Sequence, residues 1–278
     1  MYLVPLLLVV TVLVALRPGQ PADPGLAGNT GLGTEVDATV DAGVPDGEST
    51  LTPLAPNPDA PGYEEAVADA QLPPGGEFTE RGRGTFSVVP GRGEPFGGPD
   101  VFPFTVEIED GVEVTGGAEG FAADVERILR DPRSWIADGQ HGFQRVDDPA
   151  RARLRITLTS QLTTRELCGW TIQFEGSCFS GRHGNRVVIN TARWVRGAVS
   201  FDGSLVEYKQ YVINHEVGHG LGYKHKPCPE HGALAPVMMQ QSWSTSNDYL
   251  AALGTDRVVA DGKVCRPNAW PYPTGKSG

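Results

Sequence analysis

The chain has 278 residues and a formal net charge of −11, from 34 acidic and 23 basic side chains. The acidic excess is local: residues 17–80 hold twelve acids and one base, which leaves 22 of each sign elsewhere. With the remainder balanced and no basic patch evident, nucleic acid is not expected as a partner.

Tyr2 to Leu16 is an apolar run interrupted only by Pro5 and Thr11. It is short for a span, has no basic residue before it and no convincing A-x-A site after it, so residues 1–16 read as an uncleaved anchor in preference to a cleaved signal. Either reading sends the chain to a membrane and places the rest outside the cytoplasm, membrane-anchored or, if cleaved, secreted. Ten prolines and ten glycines fall within residues 17–80. That composition cannot bury enough apolar surface to offset ordering, so residues 17–82 read as a flexible acidic tether. The remaining stretch, 83–278, is long enough for one sizeable core.

Within it, Phe102 to Ile108 alternates as a strand does, and Gly120 to Arg130 carries Phe121, Val125, Ile128 and Leu129 at helical spacing. Arg153 to Thr159 alternates strictly, as a half-buried strand, and Arg186 to Val195 reads as a further strand. Ser204-x-x-Glu207 has the form of a capping box opening a helix on which Leu205, Tyr208, Val212, His215 and His219 share a face. His141 and His183 sit in glycine-flanked turns and His231 in a loop; none is assigned a role.

The four cysteines suit an oxidising compartment. Cys168 and Cys178 are close enough in sequence to staple a loop or hairpin, and Cys228 with Cys265 would tie the segment after the last motif histidine to the C-terminal tail. The alternative is Cys228 as a fourth ligand in a closed structural zinc site.

Residues 215–225 read His-Glu-Val-Gly-His-Gly-Leu-Gly-Tyr-Lys-His, filling every fixed position of H-E-x-x-H-x-x-G-x-x-H. A helix places His215 and His219 on one face within reach of one metal ion, and rotates Glu216 beside its open coordination position, where a general base belongs. Gly222 can take the left-handed conformation that ends the helix and lets His225 return as a third ligand. Five fixed residues in eleven arise by chance in such a chain on the order of once in a hundred thousand. The spacing points to one catalytic Zn²⁺ held by three histidines, with water completing the site.

On this motif the chain resembles the metzincins, zinc endopeptidases that join it to a downstream methionine turn. Ala235-Pro236-Val237-Met238-Met239-Gln240 is the candidate turn. Met238, which follows an aliphatic residue, is the better match; Met239 is the alternative. Gln240 stands where some metzincins carry a tyrosine ligand, so no such ligand is expected. The resemblance is specific over residues 215–240. It implies an α+β fold: a mixed twisted sheet with the active-site helix and a smaller irregular C-terminal subdomain. It also implies an edge strand that binds peptide by strand addition, for which Arg186 to Val195 is the candidate. The apolar N-terminus, zinc motif and His-Lys-Pro-Cys loop together also resemble a family of membrane-anchored extracytoplasmic bacterial proteins, which supplies no substrate. The function implied is hydrolysis of peptide bonds in a peptide or protein substrate, with Glu216 as general base and Zn²⁺ as cofactor. The alternative is a zinc-containing binding module without turnover, which would have no use for Glu216.

Overall fold

The computed structural model describes residues 55–170, 172–255 and 258–275, all within one compact unit, Glu48–Gly278. The expected anchor, and residues 17–54 of the expected tether, lie outside them. Among the described residues no helix is long and apolar enough to cross a membrane.

A seven-stranded mixed sheet organises the unit. Its strands are β1 (Phe86–Val88), β2 (Phe96–Gly97), β3 (Asp100–Glu109), β4 (His141–Arg145), β5 (Leu154–Thr159), β6 (Cys178–Ser180) and β7 (Arg186–Asn190). The order is β2-β4-β3-β5-β7-β6, and β1 pairs with the C-terminal half of β3. β3, β4, β5 and β7 run parallel, whereas β1, β2 and β6 pair antiparallel to their neighbours. Helix α2 (Gly117–Leu129) links β3 to β4, and the long helix α5 (Leu205–Gly220) packs against α2, α4 (Thr191–Arg196), β6 and β7. The fold is therefore α+β. Beyond Gly220 the regular structure among the described residues is α6 (Asn247–Ala252) and two isolated β-bridges.

The alternating strands divide the sheet into two chemically different faces. Phe104, Val106, Phe143, Leu154, Ile156, Leu158, Val187 and Ile189 join the main core with Phe121, Val125 and Ile128 of α2 and Val212, Ile213 and Val217 of α5. Most alternate positions are polar and many are as deeply buried, so β5 is not the half-buried strand its alternation suggested: Thr157 and Thr159 are 0% exposed. The reason is a second polar layer. Glu107 accepts from the Arg186 guanidinium, while Glu109 accepts from Gly84 N (2.8 Å), Ser160 N (2.7 Å) and Thr163 Oγ1 (2.7 Å). Buried carboxylates with this many donors are compensated for lost hydration.

Three sequence expectations need correction. The strand expected over Arg186 to Val195 ends at Asn190, because the Asn190 side chain accepts from Ala192 N (2.9 Å) and caps helix α4. Nor is β7 an edge; it lies between β5 and β6, so β6 is the edge at that end of the sheet and β2 the edge at the other. Ser204 does precede α5, but its hydroxyl makes no capping bond and Glu207 is simply an acid in the first turn; a ψ of 85° falls short of the extended backbone that aims a capping hydroxyl.

The folded unit also reaches back before residue 83. Helix α1 (Tyr63–Ala70) packs Ala66 and Ala70 against Ala252 and Leu253 of the α6 region, and Asn57 N donates to Ala252 O (2.9 Å). Its C-terminal carbonyls meet Arg193, which is 0% exposed and donates to Ala70 O (2.7 Å), Gln71 O (3.1 Å), Gly197 O (3.1 Å) and Glu175 O (3.1 Å). A cation at a helix C-terminus also meets the negative end of the helix dipole. Tyr63, Ala66, Val67 and Ala70 form a short apolar stripe that the Pro-, Gly- and acid-rich surroundings obscured. The outer part of the expected tether is thus a structural strap. Truncation from the N-terminus through residue 54 should leave the unfolding midpoint of the rest unchanged. Truncation through residue 80, which removes two acceptors of a buried guanidinium, should cost roughly 3 kcal/mol or more in urea denaturation.

Candidate metal centre

Helix α5 ends in a way that positions both sides of the site. Gly222 has φ +95°, Gly222 N donates to His219 O (2.9 Å) and Tyr223 N donates to Gly218 O (2.9 Å). These two bonds make a Schellman motif, which a left-handed glycine permits. The chain then reverses, and Lys226 N donates to Met238 O (3.0 Å), holding the segment that carries His225 against the methionine turn.

The result brings His215, His219 and His225 together, with one ligand nitrogen from each, all within 4.8 Å of one another. His215 donates from Nδ1 to Val237 O (2.8 Å) and His219 from Nδ1 to Tyr223 O (2.9 Å). Each of these carbonyls fixes the tautomer protonated on Nδ1, the usual arrangement around ligating histidines. His219 Nε2 lies 2.9 Å from His225 Nε2, so both rings converge on one point. Burial and the two neighbouring imidazoles push the His215 pKa well below its ordinary value, with the Val237 carbonyl opposing, and keep the ring in the neutral form that binds metal.

Glu216 is 4% exposed, and its Oε2 has no hydrogen-bond partner among the described residues. Burial alone pushes its carboxyl up to about 8. A dication beside it would favour the carboxylate and draw that value down again. Three converging imidazoles and a buried acid whose Oε2 has no partner among the described residues fit a Zn²⁺ site with a base beside it.

The two methionines separate cleanly. Met238 belongs to the main core below α5, whereas Met239 packs with Cys228, Ala235, Leu250 and Cys265 in a second cluster. Contact between α5 and Met238 is so close that a Cβ on Gly218 would lie 2.5 Å from Met238 Sδ and 2.6 Å from Trp135 Cζ2. Tyr211, one turn before His215, donates its hydroxyl to Met239 O (2.9 Å) and accepts from Gln241 N (2.9 Å), locking the turn to the helix. The amide oxygen Oε1 of Gln240 is buried without a partner among the described residues.

The remaining sequence candidates fall away from this cluster. Cys168 pairs with Cys178 and Cys228 with Cys265, so Cys228 is a bridge and not a metal ligand. His183 lies in a short helical turn with Nδ1 2.7 Å from Ser180 Oγ, and His231 is exposed near Val264. His141 opens β4 and does not sit in a turn, its ring paired with the Asp138 carboxylate. Trp135, Tyr211, Gly218 and Tyr223 were not singled out by sequence. Tyr223 occupies a free position inside the motif, and Trp135 has no sequence signal linking it to a site 79 residues further on, where its Nε1 donates to Asn214 O.

Residues 72–273 match a protein family described as "Protein of unknown function (DUF3152)". The chain belongs to this DUF3152 family. Neither a curated protein nor a solved structure matches it. The DUF3152 match takes in the sheet, α5 and all three histidines, and leaves α1 outside.

Two measurements check this packing and electrostatics. Gly218→Ala should destabilise the chain by about 1–3 kcal/mol, since the added methyl overlaps Met238 and Trp135. For the metal-free chain, the folded Glu216 carboxyl titrates near 8 against 4.5 for an ordinary glutamate, so the folded state holds a proton that the unfolded state releases between those values. Glu216 therefore makes stability fall as pH rises through that window, by at most about 1.4 kcal/mol per unit. His215, shifted the other way, makes stability fall as pH drops below about 6.5. Denaturation in chelator at pH 5 and pH 8 should find Glu216→Gln increasingly stable relative to wild type at the higher pH, with the acid-side loss retained.

Proposed function

We propose that the chain is a zinc-dependent endopeptidase of metzincin type, acting outside the cytoplasm and held at a membrane by its N-terminal segment. The observation that carries the reading is the convergence of His215, His219 and His225 on one point, with Glu216 buried next to His215 and its Oε2 without a partner among the described residues. A zinc ion held by these three histidines would supply Lewis acidity, acidifying water and polarising a carbonyl.

The chain's own residues then divide the work. Glu216 takes a proton from the attacking water and returns it to the departing amine; its desolvated setting suits a base that must both accept and release near neutral pH. Val237 O and Tyr223 O hold His215 and His219 in the ligating tautomer. Met238 beneath α5 forms an apolar floor. At the sheet's edge, β6 lies against the last turn of α5, where a Cβ on Gly220 would sit 3.3 Å from the Phe179 ring. An extended peptide added to β6 would therefore run beside the histidines, its main chain held by strand pairing. This assigns substrate binding to β6 in place of the Arg186 to Val195 segment. A binding module without turnover has no need for an acid buried at the desolvation cost that Glu216 bears.

The test is cleavage of a diverse peptide library by the full chain with and without chelator, combined with metal analysis of variants. Glu216→Ala should retain about one zinc per chain and lose roughly 10²- to 10⁴-fold in rate. His215→Ala, His219→Ala and His225→Ala should each weaken zinc binding and abolish cleavage together. Zinc binding by wild type without any chelator-sensitive cleavage would favour the binding module, and zinc loss in Glu216→Ala would make that residue a ligand.

A further inference from the structure

We infer that Tyr223 is a positioning residue for the metal site, acting through His219; the inference rests on the metal-centre reading above. Its backbone is engaged on both sides, the N–H donating to Gly218 O (2.9 Å) and the carbonyl accepting from His219 Nδ1 (2.9 Å). The carbonyl thus sets both the tautomer and the rotation of a ligating ring. What sets the carbonyl is the side chain. Tyr223 is flanked by exposed Gly222 and Lys224, and in residues 221–227 the apolar side chains packed on the core are Leu221 and Tyr223.

The Tyr223 ring rests on a platform made before β4. It stacks on the Trp135 indole with centroids 4.4 Å apart and planes within 19°, and the His141 ring lies 6.1 Å away, tilted. The platform is itself fixed. Trp135 Nε1 donates to Asn214 O (2.9 Å), one residue before His215, and the same indole closes on Gly218. Asp138, at the end of the turn that begins with Trp135, accepts from His141 N (2.9 Å), Gln140 N (2.7 Å) and the His141 ring. One rigid unit, Trp135 to His141, therefore grips α5 beside the first histidine and, through Tyr223, orients the second. A planar ring at position 223 is the requirement; the hydroxyl is not.

The experiment measures Zn²⁺ affinity of the full chain by competition with a chromophoric chelator, and the visible absorption of the Co²⁺-loaded form, which reports coordination geometry without reference to activity. Tyr223→Phe, which keeps the stack, should match wild type within about twofold and give the same Co²⁺ spectrum. Tyr223→Leu, which keeps bulk but loses the planar contact, should bind Zn²⁺ about 10- to 100-fold more weakly and shift the Co²⁺ bands, with circular dichroism unchanged. His141→Ala gives an independent arm, expected to weaken Zn²⁺ binding severalfold in a chain that remains folded by circular dichroism. Wild-type affinity and spectrum in folded Tyr223→Leu would overturn the inference alone. Failure of that variant to fold would overturn it too, by making the ring general core, and a wild-type chain that binds no Zn²⁺ would overturn the metal-centre reading along with it.

Discussion

The reversal at Gly222 is the constraint on which the site depends. A residue at φ +95° with no side chain lets the last turn of α5 close through two backbone bonds and sends the chain back across the helix end. Without that turn, His225 has no path to the face that carries His215 and His219, and the Tyr223 carbonyl has no reason to meet His219. One backbone conformation thus sets the place of one histidine of the cluster and the orientation of another. Gly218, one turn earlier, does comparable work by a different route: it lets Met238 and Trp135 approach the helix more closely than any side chain would allow.

Around this turn the structure places its polar groups in two distinct regimes. Away from the site, buried acids are saturated with donors: Glu109 accepts three bonds, and Glu175 accepts from Gln161, Arg165 and Asn190. In the site, Glu216 is equally buried, and its Oε2 has no partner among the described residues. A buried acceptor left unpaired costs about 1–3 kcal/mol or more, so the contrast separates acids that hold the fold from an acid the proposed chemistry would use. The two disulfides follow the same division of labour. Cys168–Cys178 holds the short edge strand β6 to the end of α3 (Gln161–Cys168), and Cys228–Cys265 closes the irregular segment that carries the methionine turn.

Much of this was legible in the chain before any coordinates. The motif histidines, Glu216, both cysteine pairings, the α2 stripe and the existence of strands β3 and β5 depend on spacing within a single element or on residue chemistry, and the structure places them as the spacing requires; the burial of both faces of β5 does not follow from its alternation. Three features were not legible, each for a physical reason. The strand expected through Val195 stops because an Asn side chain captures a backbone N–H and starts a helix, a local competition that apolar runs conceal. The edge strand is three residues long, too short for alternation to register. Helix α1 is eight residues in an acidic, proline-rich stretch, stable through its contacts with α6 and Arg193 and not through propensity.

The sequence by itself determined the histidine cluster, the acid beside it and the helix that presents them, because a period of 3.6 residues and a glycine in the right place leave little freedom to an eleven-residue motif. Only the tertiary structure decided which methionine lies under α5, which strand closes the sheet beside that helix, and that Trp135 meets both Tyr223 and the backbone of α5. Those choices depend on which surfaces meet across tens of residues of chain. That meeting is set by packing and by the satisfaction of buried polar groups over the whole unit, and no local pattern encodes it.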